Sequence, residues 1–316
     1  VAGNIGNPLS LHASQNLDFI VIELSSFQLY WAHLLKSHVA IVTNLAPDHI
    51  DWHGSFTNYL KAKARLVRLQ EPGHWAVVQN RDVDALQLSG KSAVASLYWE
   101  GQEPVHKTDA YICMGEQEAW LSYNKKELLF DYRDVDLIGR HNLENLAMTA
   151  SALILGGVPC SNLTKQLSDF IPLPHRCTFV AEINGVRYID DSKGTNVAAS
   201  ATALTSIHGP KVVILGGQGK GEDYSPLAEA VKKEARVAIV LGAEKKPIVT
   251  ALEGAGFARH IEVDSMEDAV KAAMALSLPG ETVLLSPACT SWDMYPSYKK
   301  RGEHFRHLVN KYGGLL

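Results

Sequence analysis

Residues Val186–Ala199 read VRYIDDSKGTNVAA, and this stretch decides the fold of the second half of the chain. The apolar-rich run Val186 to Ile189 predicts the end of a β-strand, and a helical pattern starts at Val197 after a polar, glycine-bearing turn. A strand, such a turn and a helix start form an anion-binding corner, because the first N–H groups of a helix have no partner within it. We therefore expect Lys193 and the turn to bind phosphate or carboxylate oxygens, and Asp190-Asp191 to hold a ribose, a metal or an ammonium group.

A second corner of this kind follows the next predicted strand. The strand is Lys211–Leu215, and its turn, Gly216–Gly221, reads GGQGKG. This turn fits neither GxGxxG nor GxxxxGK[ST], so its glycines alone are weak evidence for a nucleotide site. Lys220 is a candidate ligand for a carboxylate. Two anion corners in succession predict a substrate that carries several negative groups.

Strands and helices alternate through the rest of the second half, which predicts a mostly parallel, doubly wound, Rossmann-like sheet. Residues 286–291, SPACTS, follow the last strand and either offer hydroxyl and N–H groups to the same crevice or form an ordinary capped turn. The predicted strands are Arg187–Asp190, Lys211–Leu215, Ala235–Leu241, His260–Val263 and Thr282–Leu285.

The first half also has an α/β pattern. Between Ala93 and Asp136 the helical period disappears, and short runs predict the hairpins of a small β subdomain. The proline-rich segment Ile171–Pro174 predicts a domain boundary, with a central domain over residues 1–172 and a C-terminal domain over residues 173–316. The other predicted elements are strands at Phe19–Glu23, His38–Thr43 and Trp75–Gln79, and helices at Phe56–Leu69 and from Gly139 to about Leu155.

Composition excludes several classes of protein. The chain has 316 residues and a net charge of −4, which argues against a general binder of nucleic acid or of acidic membranes. Its four cysteines are scattered without a CxxC pair, as expected for reduced thiols in a cytosolic protein. No apolar run is long enough to cross a bilayer, so we expect no membrane insertion and a cytoplasmic location.

Three polar residues of the first half are candidates for a cation site. Glu23 ends one predicted strand and His49 follows the next, and the carboxyl ends of strands face the ligand crevice in open α/β sheets. A carboxylate and an imidazole there suit a divalent cation, although on these two residues alone a capped helix and a solvated histidine are the favoured interpretation. Lys63 reads as part of a solvated basic face, because a protonated lysine has donors only and cannot ligate a metal.

Two further groups have alternative interpretations. Asn142 and Asn145 stand near the start of a predicted helix, where they cap it or read the edge of an adenine. Arg176 follows the predicted boundary, where it reaches a phosphate across a closing cleft or forms an ion pair between domains.

Taken together, these segments resemble the Mur ligase family, most closely its D-glutamate-adding members. The resemblance runs from the first residues to the C-terminal segment, and ELSSFQL, DDSKGTN and SPAC with its following serine are the specific motifs. The resembling segments are GNIGNP at Gly3, ELSSFQL at Glu23, TNLAPDHIDWHGSFTNYLKAKAR at Thr43, GRHNLEN at Gly139, LPHRC at Leu173, DDSKGTN at Asp190, LGGQGKG at Leu215 and LSPACTSWD at Leu285.

The resemblance implies an ATP-dependent ligase that works on small molecules. ATP phosphorylates the L-alanine carboxylate of UDP-N-acetylmuramoyl-L-alanine, the D-glutamate amine attacks the acyl phosphate, and an amide, ADP and phosphate result. Holding several anions together requires Mg²⁺ and cationic side chains in a dry cleft. The resemblance also implies a monomer.

The resemblance also implies roles for individual residues. Glu23 and His49 hold Mg²⁺, and Lys63 matches a lysine that reacts with CO₂ to form an anionic carbamate, which reverses its interpretation as a solvated cation. Lys193 and Lys220 join His49 and Lys63 in the catalytic set. Residues implied near the nucleotide are Asn4, Asn142, Asn145, Arg176, Asp191 and Lys193. Residues implied in the D-glutamate pocket are Thr195, Lys220, Ser291 and Tyr298.

The chain departs from the family pattern in two ways. Tyr298 stands where phenylalanine is usual, and Trp292 stands where a small apolar residue is usual. The family's GTNGK[ST] loop, which cradles the ATP phosphates, and a preceding UDP-binding domain are not found in this sequence. We therefore expect a fragment of a longer polypeptide with little ligase activity alone. The alternatives are a relative that adds another amino acid, as in polyglutamate synthesis, and a non-catalytic nucleotide-binding remnant.

Overall fold

The computed structural model describes residues 1–12, 14–87, 90–135, 137–159, 163–168, 170 and 172–315. These residues form two compact units, one of Val1–Asp134 with Glu144–Leu167 and one of Val135–Leu143 with Ser168–Leu316. The predicted division at residues 172 and 173 stays a prediction, and Ile171 of the proline-rich segment lies outside the described residues.

Six strands of the first unit form one sheet in the order β3-β4-β5-β6-β7-β8. The elements up to residue 168 are β1 (Ala2–Gly3), β2 (Ile22–Glu23), α1 (Ser26–Trp31), β3 (Val39–Val42), α2 (Ile50–His53), α3 (Phe56–Arg68), β4 (Trp75–Gln79), β5 (Ala93–Trp99), β6 (Ala110–Met114), β7 (Glu118–Tyr123), β8 (Lys125–Asp131), α4 (Arg140–Leu155) and α5 (Leu163–Ser168).

The strands predicted as a separate β subdomain continue the first sheet instead. β5 pairs in parallel with both β4 and β6, so only β6, β7 and β8 form antiparallel hairpins. Val77 and Val78 of β4 point to opposite faces of the sheet and are both fully buried, so this buried strand needs a neighbour on each side to satisfy its backbone groups. The predicted strand Phe19–Glu23 is shorter than expected, because only Ile22 and Glu23 pair, with β1.

The second unit is a doubly wound sheet, as predicted. Its strand order is β13-β12-β11-β14-β10-β9, and only the β9–β10 pair is antiparallel. Its elements are β9 (Thr178–Ile183), β10 (Val186–Asp190), α6 (Val197–Ser206), β11 (Lys211–Gly216), α7 (Ser225–Glu234), β12 (Ala235–Leu241), α8 (Lys245–Gly254), β13 (His260–Glu262), α9 (Met266–Leu276), β14 (Thr282–Leu285) and α10 (Tyr298–Tyr312).

The core of the second unit lies on both faces of this sheet. Val213 and Leu215 of β11 belong to one buried cluster, and Val212 and Ile214 belong to another. Because strand side chains alternate between faces, these two clusters cover opposite sides. Such a sheet leaves its strand ends as the places for polar chemistry.

Two further predictions concern the membrane and the cysteines. Among the described residues, no helix combines the length and apolarity needed to cross a bilayer. Cys113, Cys177 and Cys289 are free thiols, as predicted, whereas Cys160 lies outside the described residues.

Candidate functional site

Three turns meet at one edge of the second sheet. β11, β14 and β10 are neighbours and run in parallel, so the turns that follow them leave from the same end. These turns are the DSKGT turn (191–195), the GGQGKG turn (216–221) and the SPACTS turn (286–291). The predicted anion corners are therefore brought together, with the SPACTS turn between them.

The DSKGT turn is anchored by two buried carboxylates. His175 Nδ1 lies 2.6 Å from Asp190 Oδ2, and Asp190 Oδ1 accepts a hydrogen bond from the Ser192 N–H at 2.9 Å. Asp191 accepts from Ser286 Oγ at 2.7 Å and from the Cys177 N–H at 3.3 Å. Burial raises the pKa of Asp191 to about 7, and the hydrogen bonds from Ser286 and Cys177 oppose this rise.

Gly194 allows the turn to fold back on its own carboxylate. A Cβ at this position would lie 2.6 Å from Asp191 Oδ2 and 2.9 Å from Ser286 Oγ, which is too close for carbon. The helix α6 then begins after Asn196, whose side chain accepts a hydrogen bond from the Ala199 N–H at 2.7 Å. This N-cap orients the first turn of α6.

Lys193 and Tyr298, both predicted site residues, contact each other. The Lys193 ammonium lies 4.4 Å from the centre of the Tyr298 ring, within the range of a cation–π interaction. The backbone N–H of Lys193 donates to the His175 carbonyl at 3.0 Å, and Ser192 Oγ donates to the Tyr298 carbonyl at 2.8 Å. The lysine is thus held both by its backbone and by its side chain.

The GGQGKG turn needs its glycines for close approach of backbone to backbone. Gly216 and Gly217 have φ angles of 113° and 138°. A Cβ at Gly216 would lie 1.8 Å from the Leu241 carbonyl oxygen, and one at Gly217 would lie 2.2 Å from that of Thr290. Gln218 and Thr290 exchange backbone hydrogen bonds at 2.9–3.0 Å, which joins this turn to the SPACTS turn.

The other predicted pocket residues lie on the same three turns. Lys220 is exposed and Thr195 is partly exposed. Ser291, the last residue of the SPACTS turn, is buried. The neighbouring Trp292 is 69% exposed, so most of its large side chain faces solvent.

The residues that the resemblance implies near a nucleotide differ in their exposure to solvent. Arg176 is exposed, and Asn142 donates from Nδ2 to the Ile138 carbonyl at 2.8 Å instead of capping α4 in the predicted way. Asn145 is partly buried on the same helix. His141, which lies beside Asn142, has its pKa lowered to about 4 by burial and by the charge of Arg176.

In the first unit, Asn4 and Glu23 are joined directly. Asn4 Nδ2 donates to Glu23 Oε1 at 2.9 Å, and the Asn4 N–H donates to the Glu23 carbonyl at 2.8 Å. Gly3 makes this approach possible, because a Cβ there would lie 2.3 Å from the same carbonyl oxygen. The Glu23 side chain is exposed, so a ligand can reach it from solvent.

His49 and Lys63 lie in an aromatic environment. His49 adopts a left-handed backbone with φ of 52°, packs its ring 4.7 Å from that of Phe27, and has Nε2 3.6 Å from Asp48 Oδ2. Burial lowers the pKa of Lys63, and the carboxylate of Asp48 opposes this change. The Lys63 ammonium lies 5.3 Å from the Tyr59 ring. Lys63 is therefore a partly desolvated amine and not part of a solvated basic face.

His53 was not predicted and supports this arrangement. It is 7% exposed, and its Nε2 lies 2.9 Å from Ser26 Oγ, which joins α2 to the ELSS segment that carries Glu23. Burial lowers the pKa of His53, and the charge of His49 lowers it further. His53 lies four residues after His49, at the end of the short helix that His49 precedes, and this spacing is the sequence signal that could have indicated it.

The donor set fits a hard divalent cation only in part. Among the described residues, no group of three His, Cys, Asp or Glu side chains is placed to hold a metal ion. Mg²⁺, however, usually takes one or two protein ligands and completes its shell with waters and substrate phosphates. The exposed Glu23 carboxylate is an oxygen ligand of that kind, whereas the His49 imidazole is a nitrogen ligand that suits softer metals better.

The chain is similar to known proteins in both of its halves. Residues 3–153 match the Mur ligase middle domain, and residues 175–289 match the Mur ligase, glutamate ligase domain. A UDP-N-acetylmuramoylalanine–D-glutamate ligase of Pelotomaculum thermopropionicum is 40% identical over 98% of this chain and 68% of that protein. The ligase of the same name from Natranaerobius thermophilus is 36% identical over 99% of this chain and 68% of that protein.

A solved structure shares the fold. MurF ligase from Thermotoga maritima in complex with ADP matches 88% of this chain and 62% of that chain with a TM-score of 0.60 and 17% identity. The chain thus spans about two thirds of the length of the relatives that it matches. On the two domain matches and these identities, the chain belongs to the Mur ligase family.

Proposed function

We propose that the protein joins D-glutamate to UDP-N-acetylmuramoyl-L-alanine at the expense of ATP. The observation that carries this proposal is the meeting of the DSKGT, GGQGKG and SPACTS turns at one sheet edge, with Lys193 and Lys220 on two of them. Relatives at 36–40% identity that bear the name of this ligase support the same choice of amino acid.

The reaction has two steps with balanced electron pairs. An oxygen of the L-alanyl carboxylate attacks the γ-phosphorus of ATP, and ADP leaves with the electrons of the broken P–O bond. The D-glutamate nitrogen then attacks the acyl carbon, loses a proton, and the tetrahedral adduct expels phosphate. Every species in both steps is anionic, so preorganised cations and N–H donors are the main requirement.

The second unit supplies these groups. We assign Lys193, held against Tyr298, to phosphate oxygens, and Asp191, Arg176 and Asn142 to the nucleotide side. Asn145, which belongs to the first unit, is assigned to the nucleotide as well. Thr195, Lys220, Ser291 and Tyr298 form the pocket for D-glutamate. An exposed Lys220 on a glycine-rich turn suits a carboxylate that arrives from solvent.

The first unit supplies the cation side. We assign Glu23 and His49 to Mg²⁺ and place Asn4 beside them, where its amide orients the Glu23 carboxylate. Bound Mg²⁺ neutralises phosphate charge in reactions of this class. The lowered pKa of Lys63 increases the fraction of neutral amine, which is the form that reacts with CO₂, and the resulting carbamate would be an anion suited to a cation site.

The test is phosphate release from ATP by the chain fused behind the N-terminal third of the Pelotomaculum thermopropionicum ligase. We expect release that requires both UDP-N-acetylmuramoyl-L-alanine and D-glutamate, and little release from the unfused chain. L-Glutamate, L-lysine and diaminopimelate serve as control amino acids, and Lys193→Ala in the same fusion serves as the control variant.

Two results would contradict the proposal. Preference for L-lysine or diaminopimelate over D-glutamate would assign the chain to another amino-acid-adding relative. A folded fusion that binds nucleotide without turnover would support a non-catalytic remnant.

A further inference from the structure

Arg301 is a buried cation at the base of the three turns. It lies in the first turn of α10 and is 3% exposed. Its Nε donates to Ser192 Oγ at 3.0 Å, and its Nη2 donates to the Ser192 carbonyl at 2.9 Å. One residue of the DSKGT turn is therefore bound through both its side chain and its backbone.

The same guanidinium binds the SPACTS turn and touches the GGQGKG turn. Nη2 also donates to the Cys289 carbonyl at 3.0 Å, and Nη1 donates to that of Thr290 at 3.1 Å. A Cβ at Gly217 would lie 3.0 Å from Nη1, so the third turn packs directly on the guanidinium. The planar fork of arginine donors suits this set of four acceptors, and a lysine ammonium cannot reproduce it.

The charge of Arg301 is not neutralised by an ion pair among the described residues. Burial lowers the pKa of Arg301 to about 10, while Asp293 and Asp190 act in the opposite direction. The group therefore stays protonated at neutral pH, and its partners are neutral oxygens. A positive charge is thus fixed beneath turns that are suited to anions.

We propose that Arg301 is a positioning residue that fixes the DSKGT, GGQGKG and SPACTS turns relative to one another, so that Lys193 meets the phosphate while Lys220 and Ser291 hold D-glutamate. This role rests on the proposed function for its consequence, but the coupling of the three turns is a property of the fold. Arg301 itself contacts protein groups and is not assigned to the substrate.

Hydrogen exchange tests the coupling without any ligand. In Arg301→Lys we expect the N–H groups of Lys193, Gln218 and Thr290 to exchange at least about tenfold faster. Each of these groups makes a hydrogen bond in a turn that Arg301 holds in place. Arg306→Lys on the same helix is the matched control and should leave these rates unchanged. Unchanged rates in a folded Arg301→Lys protein would overturn the proposal.

A milder variant covers the case in which Arg301→Lys does not fold. Ser192→Ala removes only the Oγ acceptor of Arg301 and the donor to the Tyr298 carbonyl. We expect faster exchange at Lys193 and, through Arg301, at Thr290, whereas a local effect of the serine would change Lys193 alone and contradict the coupling.

Ligand binding separates this proposal from the proposed function. In the fused enzyme, Arg301→Lys should weaken ADP and D-glutamate together, each by about tenfold, whereas Lys220→Ala should weaken D-glutamate alone. The double variant should lose less affinity for D-glutamate than the product of the two single fold-losses, because the effects of residues that act through one another are not additive. If the unaltered fusion binds neither ligand, the proposed function is wrong. The hydrogen-exchange result still decides whether Arg301 couples the three turns.

Discussion

Asp191 and Ser286 join two turns of the candidate site, with Ser286 Oγ donating to Asp191 Oδ2 at 2.7 Å across 95 residues of sequence. Ser286 Oγ also lies 2.9 Å from Ser200 Oγ, which in turn accepts from the Ala288 N–H at 2.8 Å. All of these polar groups are buried. A network of this kind fixes its members strongly, because any one left without a partner pays the cost of desolvation.

Gly194 is the position where this network has no spare room. Gly194→Ala should lower the free energy of unfolding by about 1–3 kcal/mol, since its Cβ would meet Asp191 Oδ2 at 2.6 Å. Urea denaturation measures the effect. Gly254→Ala at the end of α8 is the control, because its Cβ would meet nothing within 4 Å and alanine favours helix. Equal stability of the two variants would contradict the close contact.

Asp191 should make stability depend on pH. Its folded pKa of about 7 lies above the ordinary aspartate pKa of 3.8, so the folded protein binds more protons between these values and stability falls as pH rises through this window. The slope from this group is at most about 1.4 kcal/mol per pH unit. Asp191→Asn should flatten the curve of unfolding free energy between pH 4 and pH 7 relative to the unaltered chain.

The control for that prediction is Asp223→Asn. Hydrogen bonds from Ser225 lower the pKa of Asp223, so its contribution is present above the ordinary aspartate pKa and is lost as pH falls. The variant should change the slope of stability against pH only at acid pH, below the window of Asp191. A slope between pH 4 and pH 7 that survives in Asp191→Asn would assign the effect to another group.

The sequence predicted the turns better than it predicted their supports. Glycine-bearing turns after apolar strands are local patterns, so the corners at Lys193 and Lys220 could be predicted from the sequence. Arg301 was missed because the run of basic residues at the start of α10 looks like a solvated face. The signal was its spacing of four and seven residues from Phe305 and Leu308, which are also buried.

Strand neighbours in the first unit could not be predicted from the sequence. Runs such as Ala93–Trp99 and Ala110–Met114 have strand character, but pattern alone does not say whether two strands pair in parallel or form a hairpin. Parallel pairing is a non-local event decided by the whole sheet. The desolvation of Lys63 likewise depends on residues that only the fold places near it.

His53 and Ser26 should contribute to the stability of the first unit. Ser26→Ala removes the hydroxyl that lies 2.9 Å from His53 Nε2 and leaves a buried ring nitrogen without this partner. We expect a loss of about 1–2 kcal/mol in the free energy of unfolding at pH 7.5. Ser122→Ala at an exposed position of β7 should change it by less than about 0.5 kcal/mol. Equal effects in chemical denaturation would show that the pair contributes nothing specific.

Two substitutions of Tyr298 distinguish the contribution of its aromatic ring from that of its hydroxyl. The ring lies 4.4 Å from the Lys193 ammonium, so Tyr298→Phe keeps the cation–π contact and should leave kcat/KM of the fused ligase within about twofold. Tyr298→Leu removes the ring and should lower kcat/KM roughly 5- to 30-fold, which corresponds to a loss of about 1–2 kcal/mol of transition-state stabilisation. Lys193→Ala removes the cation itself and should cost on the order of 2–4 kcal/mol. In the Lys193→Ala background the Tyr298→Leu change should lose most of its effect, because the ring then has no cation to hold. A full and independent loss from Tyr298→Leu in that background would mean that the ring acts on the substrate directly and not through Lys193.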